Sequence, residues 1–109
     1  MNNNNKSKDK SIYGEEIEKV LRSGEGKVLR DSEIIKILLR AVHSEDQAQT
    51  IAEKLTDTCK GMGRIFGRGI DDLKIIKGVT DPAAAVIVCV QEAYKRALRE
   101  DLKKGPMNG

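Results

Sequence analysis

The sequence predicts an all-α fold, a compact bundle of five to six helices, on three observations. Apolar residues recur at helical spacing from Tyr13 to Leu98, no stretch alternates with the two-residue period of a strand, and Gly, Ser and Asp-Pro punctuation breaks the pattern at short intervals. At 109 residues there is room for one domain. Its core must be aliphatic, because Tyr13, Phe66 and Tyr94 are the only aromatic residues.

Residues 1–10, MNNNNKSKDK, carry one apolar side chain and are expected to form a disordered tail. The helical domain is expected over residues 11–104, with 105–109 a flexible C-terminus. Tyr13, Ile17, Val20 and Leu21 make a first amphipathic stripe, on a helix whose other face carries Glu15, Glu16, Glu18, Lys19 and Arg22 as solvated pairs four apart. Ser23-Gly24-Glu25-Gly26 ends it. Asp31 can cap a second helix, whose Ile34, Ile35, Ile37, Leu38, Leu39 and Val42 cover more than half its circumference. Ser44 and Gln47 have capping-box spacing before a third helix with Ala48, Ile51, Ala52, Leu55 and Cys59 on one face. Met62, Ile65 and Phe66 fit a turn or two of helix, followed by a bend at Gly67–Gly69. Ile70 to Lys77 reads as a short helix with Ile70, Leu73 and Ile76 inward. Asp81 as cap and Pro82 as first helical residue open the last helix. This helix is apolar from Ala83 to Val90 and then amphipathic, with Tyr94, Ala97 and Leu98 inward, until Gly105-Pro106. The expected core centres on Ile34, Leu38, Ile51, Leu55, Phe66, Leu73, Ile76, Val86 and Val90.

Composition narrows the function. No apolar run is long enough for a membrane span, and the N-terminus has no apolar signal region, so the expected location is cytoplasmic. Cys59 and Cys89 fall on or near apolar helix faces and read as two reduced thiols. With no CxxC and a single histidine, His43, no zinc site is expected. His43 sits at a helix junction, Ser44 has no accompanying base, and no carboxylate pair has the setting for acid–base work. The chain is therefore expected to be no enzyme and to take neither cofactor nor small-molecule substrate. The net charge is +3. All of the excess lies between Lys60 and Thr80, where Lys60, Arg64, Arg68, Lys74 and Lys77 face only Asp71 and Asp72.

One segment carries possible binding chemistry. Leu73-Lys74-Ile75-Ile76-Lys77-Gly78-Val79-Thr80-Asp81-Pro82-Ala83 has a short helix, a Gly-apolar-small turn and an Ala-rich helix, the pattern of a helix-hairpin-helix. Such a turn aims backbone N–H groups at a phosphate beside the positive end of the second helix, while the apolar residue plugs the hairpin into the core. The expected DNA contacts are Lys77, Gly78, Val79 and Thr80, aided by Lys74, Arg68 and Arg64.

Three further segments share a family likeness. Leu29-Arg30-Asp31-Ser32-Glu33-Ile34-Ile35-Lys36-Ile37-Leu38-Leu39 resembles the L-S-D-A-E-L-L-A-I-L-L segment of the RadC family. Ile51-Ala52-Glu53-Lys54-Leu55 is similar to its L-A-R-E-L. Ile70-Asp71-Asp72-Leu73-Lys74-Ile75-Ile76-Lys77-Gly78-Val79 is similar to its L-E-E-L-x-x-I-K-G-I. Order and gaps agree over about residues 28–100. The resemblance implies a RadC-type N-terminal helical domain, with a function linked to DNA repair, that precedes a metal-dependent JAB/MPN-type domain in that family. The ligand set of that second domain is not expected in these residues, which hold one histidine. The family turn reads G-I-G-P-A-K-A, whereas here Thr80 stands for the second glycine, Asp81 follows it, and Ala83 takes the place of lysine. The functional expectation is a module with weak, sequence-nonspecific contact to double-stranded DNA through phosphates. The alternative is a protein-interaction or regulatory helical domain without DNA binding.

Overall fold

The computed structural model describes residues 14–104. The expected tail at 1–10, Tyr13 and the C-terminus at 105–109 lie outside them. The described residues form six α-helices and no strand: α1 (Glu15–Ser23), α2 (Asp31–Leu39), α3 (Glu45–Cys59), α4 (Met62–Phe66), α5 (Ile70–Lys74) and α6 (Asp81–Lys104), with a 3-10 turn at Gly26–Val28 between α1 and α2. The fold class is all-α, as the periodicity predicts. The described residues divide into two compact units, one ending at Glu53 and one beginning at Lys54, the division falling within α3.

In the first unit α1 packs against α2 and against the 3-10 turn. The α1 charges do not form the solvated row expected of them. Glu16 and Lys19 reach across to α2 instead, where Lys19 Nζ donates to Glu33 Oε2 at 2.8 Å and Lys36 Nζ donates to Glu16 Oε2 at 3.0 Å. Lys36 is only 6% exposed and also donates to Gln49 Oε1 at 3.0 Å and Glu45 Oε2 at 3.3 Å. Burial by itself would push its pKa down. The hydrogen bonds that Lys36 donates to Glu16 and Glu45 outweigh that and hold it above the ordinary lysine value. The cap of α2 is Arg30, not Asp31: the Arg30 N–H donates to Glu33 Oε1 at 2.9 Å, and Asp31 becomes the first helical residue. The helix ends at Leu39 and runs into turns, which leaves Val42 exposed.

Helix α3 follows its sequence closely. Ser44 Oγ accepts from the Gln47 N–H at 3.3 Å, and Ala48, Ile51, Ala52, Leu55 and Cys59 are all buried. In the second unit, α4 and α5 both pack on α6. Between α4 and α5 the backbone is tight: a Cβ at Gly67 would stand 2.7 Å from the Gly63 carbonyl oxygen, so only glycine fits. Gln91 ties this bend to α6 by donating its Nε2 to the carbonyls of Phe66 and Arg68.

The core is partly out of phase with expectation. Ile51, Leu55, Leu73 and Ile76 are buried, but Ile34, Leu38, Phe66, Val86 and Val90 are only partly so. Their neighbours Ile35, Leu39, Ile65 and Ile87 are the fully buried ones. Four of the five misses lie in an apolar doublet, where periodicity cannot tell which member points inward; Val90 instead lines an open stretch of the last helix. Ile70 is exposed, and so is Cys89, against the apolar-face expectation; Cys59 is buried. Leu39→Ala should therefore cost about 2–5 kcal/mol and Leu38→Ala clearly less, as read by denaturant titration of the two variants.

Glu33 gives a pH-dependent test. Its carboxyl is lowered from 4.5 to about 2, chiefly by the Lys19 hydrogen bond and then by the Arg30 N–H, against a smaller opposing effect of burial. A carboxylate depressed on folding adds stability above its unfolded pKa and loses it as pH falls through the folded value. Glu33→Gln should cost about 1 kcal/mol at neutral pH, because Lys19 is partly solvent-screened. Measured melts of wild type and variant should converge between pH 4.5 and about 2.

Candidate nucleic-acid interface

The expected DNA-contact residues centre on the connection from α5 to α6. Helix α5 stops at Lys74, and the Ile76 N–H still bonds back to the Leu73 carbonyl at 3.2 Å. The Val79 N–H donates to the Ile76 carbonyl at 3.0 Å, closing the turn. Gly78 lies between them at φ +96°, in the left-handed region that favours glycine, and is exposed. Val79 is buried and plugs the turn into the unit, as the hairpin pattern predicts. Lys77 and Lys74 are exposed beside it.

The entry to α6 differs from expectation in its cap. Thr80, not Asp81, caps the helix: its Oγ1 accepts from the Ala83 N–H at 3.2 Å, and its carbonyl accepts from the Ala84 N–H at 3.0 Å. Asp81 is the first helical residue, and Pro82, the second, has no N–H. The threonine that replaces a family glycine thus occupies one of the helix-end donors that a phosphate would use. Asp81 also neutralises part of the local charge, with its Oδ1 3.5 Å from Lys74 Nζ. Ala83 and Ala84 are fully buried, so a lysine at position 83 would project into the packed side of α6.

The structure gathers Lys74, Lys77, Gly78, Val79 and Thr80 into one turn. It does not bring Arg64 into contact with them. Arg64 lies on α4, and the end of α4 is tied to Gln91, about 16 Å down α6 from Thr80 at 1.5 Å per residue. Arg68 lies in the bend and turns its Nη1 toward the Asp72 carbonyl at 3.5 Å. Thr80 as cap and Gln91 as tether escaped sequence reasoning. The cap had a signal, a threonine ahead of Asp-Pro, but a lone glutamine in an apolar run had none. Among the described residues no group of three or more His, Cys, Asp or Glu side chains could hold a metal ion, and no helix is long and apolar enough to cross a membrane.

The fold and site define an all-α chain with one exposed, mildly basic turn between two helices. Comparison with known proteins then shows what it is similar to. The chain is similar to UPF0758 proteins, the designation carried by the RadC family. It is 36% identical over 87 residues to a UPF0758 protein of Polaromonas sp., covering 80% of this chain and 38% of that one. It is 31% identical over 98 residues to one of Variovorax paradoxus, covering 89% and 43%. It is 30% identical over 96 residues to one of Clostridium botulinum, covering 88% and 42%. The chain thus spans about two fifths of the length of these relatives. No family model matches it, and no solved structure is significantly similar to it.

The cap assignment is directly testable. Thr80→Ala should destabilise the protein by about 1 kcal/mol through the lost Ala83 bond, whereas Thr80→Ser should keep most of it. Amide exchange at Ala83 should quicken in the alanine variant alone.

Proposed function

We propose that the chain is a non-catalytic module, equivalent to the N-terminal helical domain of RadC proteins, that contacts the duplex DNA backbone through the α5–α6 turn, weakly and without sequence preference. The observation that carries this reading is the turn itself. An exposed glycine in left-handed conformation is held by a buried valine and flanked by an exposed lysine, which leaves backbone open to a phosphate. Lys77 supplies the main charge, since Lys74 is shared with Asp81. Arg68 serves at the flank.

So small a contact reaches few phosphates. The logarithm of affinity should fall with the logarithm of salt with a slope of about −2 to −3, and binding near physiological salt should sit at about 10⁻⁴ M. Anisotropy titrations with labelled duplexes of unrelated sequence should give equal affinities. Lys77→Glu should weaken all of them several-fold. Thr80→Gly should strengthen them, because it releases the Ala83 N–H at a cost in helix capping of only a few tenths of a kcal/mol, about the difference between the two as caps. Absence of amide shifts at residues 77–80 in both wild type and Thr80→Gly on adding duplex would remove the reading.

A further inference from the structure

The second half of α6 has the pattern of a buried helix and the exposure of a free one. Tyr94, Leu98 and Leu102 follow one another at four-residue spacing, the row the sequence turns inward at its first two members. They are nevertheless 65%, 43% and 77% exposed. At the upper end of this row, Met62, Phe66, Val90 and Tyr94 wall a groove of about 540 Å³ between α4 and α6, lined mainly by apolar atoms. Gly63 on α4 leaves the wall open, for a Cβ there would meet nothing within 4 Å. The apolar row and the groove form one continuous surface, larger than a scatter of single exposed side chains.

Charge gives the surface a direction. Lys95, Arg99 and Lys103 each follow one residue after a member of the apolar row, so they form a parallel cationic row along one edge. Lys95 is the only charged residue lining the groove. Of the acids of this region, Glu92 lies on this same edge and is paired with Arg96 at 2.9 Å and Arg99 at 3.4 Å, Glu100 falls toward the back of the helix, and Asp101 takes the opposite edge, so Lys95 and Lys103 are the row's cations outside these ion pairs. A planar lipid surface would not fill a concave groove, whereas a protruding side chain would.

We propose that this face docks an acidic amphipathic helix of another protein. One large apolar side chain enters the groove at Met62, Phe66 and Tyr94. Apolar residues on the next turns lie along Leu98 and Leu102, and carboxylates on one flank meet Lys95 and Lys103. Helix-in-groove recognition uses anchors at this three-to-four-residue spacing. The site is separate from the α5–α6 turn and stands or falls independently of DNA contact.

The test uses two synthetic amphipathic peptides of about 18 residues, long enough to span this half of α6 at 1.5 Å per residue. One is built of Leu, Ala and Glu; in the other every Glu is replaced by Lys. The Glu peptide should shift amides at residues 62–67 and 90–103 and bind at least about tenfold more tightly than the Lys peptide. Lys95→Glu/Lys103→Glu, at two exposed positions, should reverse that preference. Gly63→Leu, which fills the groove from its own wall, should abolish binding while leaving the circular dichroism unchanged. Equal binding of both peptides, shifts confined to other residues, or no binding at all would overturn the proposal. So would self-association of the free chain through Leu98 in sedimentation, or binding only to phosphatidylglycerol vesicles.

Discussion

The packing of α4 and α5 on the first half of α6 is the interaction on which the second unit depends. Ala83, Ala84 and Ile87 are fully buried there, as are Ile65 and Leu73 on the two short helices. Five-residue helices have little stability of their own, since nucleating a helix is costly and few bonds follow. They persist because α6 supplies an apolar face for them, and alanine in that face allows close approach. Gln91 adds a polar tie by donating to two carbonyls at the bend. Both candidate surfaces follow from this arrangement. The α5–α6 turn is exposed because α5 ends where Val79 enters the unit, and the groove exists because α4 covers only the first part of α6.

In the first unit, a buried ammonium takes a comparable part. Lys36 is costly to desolvate, and nothing but full satisfaction makes it tolerable. Glu16, Glu45 and Gln49 provide that, from α1 and from the first turns of α3. The arrangement specifies geometry more than it adds stability, because two carboxylates and an amide can meet one Nζ only in one register of the helices. Glu33 repeats the theme with Lys19 and with the backbone of Arg30. These contacts explain why α1, which buries no side chain of its own, is nonetheless held on α2.

Helix existence was legible in the sequence, and helix phase was legible only where polar residues separate the apolar ones. In α3 they do, and all five expected residues are buried. In α2, α4 and α6 the doublets Ile34-Ile35, Leu38-Leu39, Ile65-Phe66 and Val86-Ile87 offer two inward choices, which only packing decides. Ser44 caps its helix as expected, whereas the other two caps were placed one residue late for a single reason. Asp31 and Asp81 are good caps, but each is also favourable in a first helical turn beside the positive helix end, and that is where both stand. Lys36 was hidden because a lysine within an apolar run reads as surface. At the candidate site, Gly78 and Val79 were readable from turn chemistry. The pairing of Lys74 with Asp81 and the saturation of Ala83 by Thr80 depend on atoms meeting in space.

These local facts bear unequally on the two surfaces. A backbone phosphate site draws its affinity from donors that are open and from charge that is unspent. Here Thr80 and Pro82 reduce the first, and Asp81 reduces the second. What is left is Lys77 and the backbone around Gly78, enough for a weak electrostatic contact and too little for a tight one. The face on α6 has the opposite character. Its apolar area is exposed to water at a continuing cost that a partner would remove, and the cations beside it set which partner charge is accepted. A chain that meets DNA weakly at one end of α6 and a protein helix at the other gains from the combination, because two weak contacts on a shared assembly raise the effective concentration for each other. That logic holds only if both partners can be engaged at once, and the roughly 27 Å of helix from Thr80 to Leu98, at 1.5 Å per residue, gives them room to be.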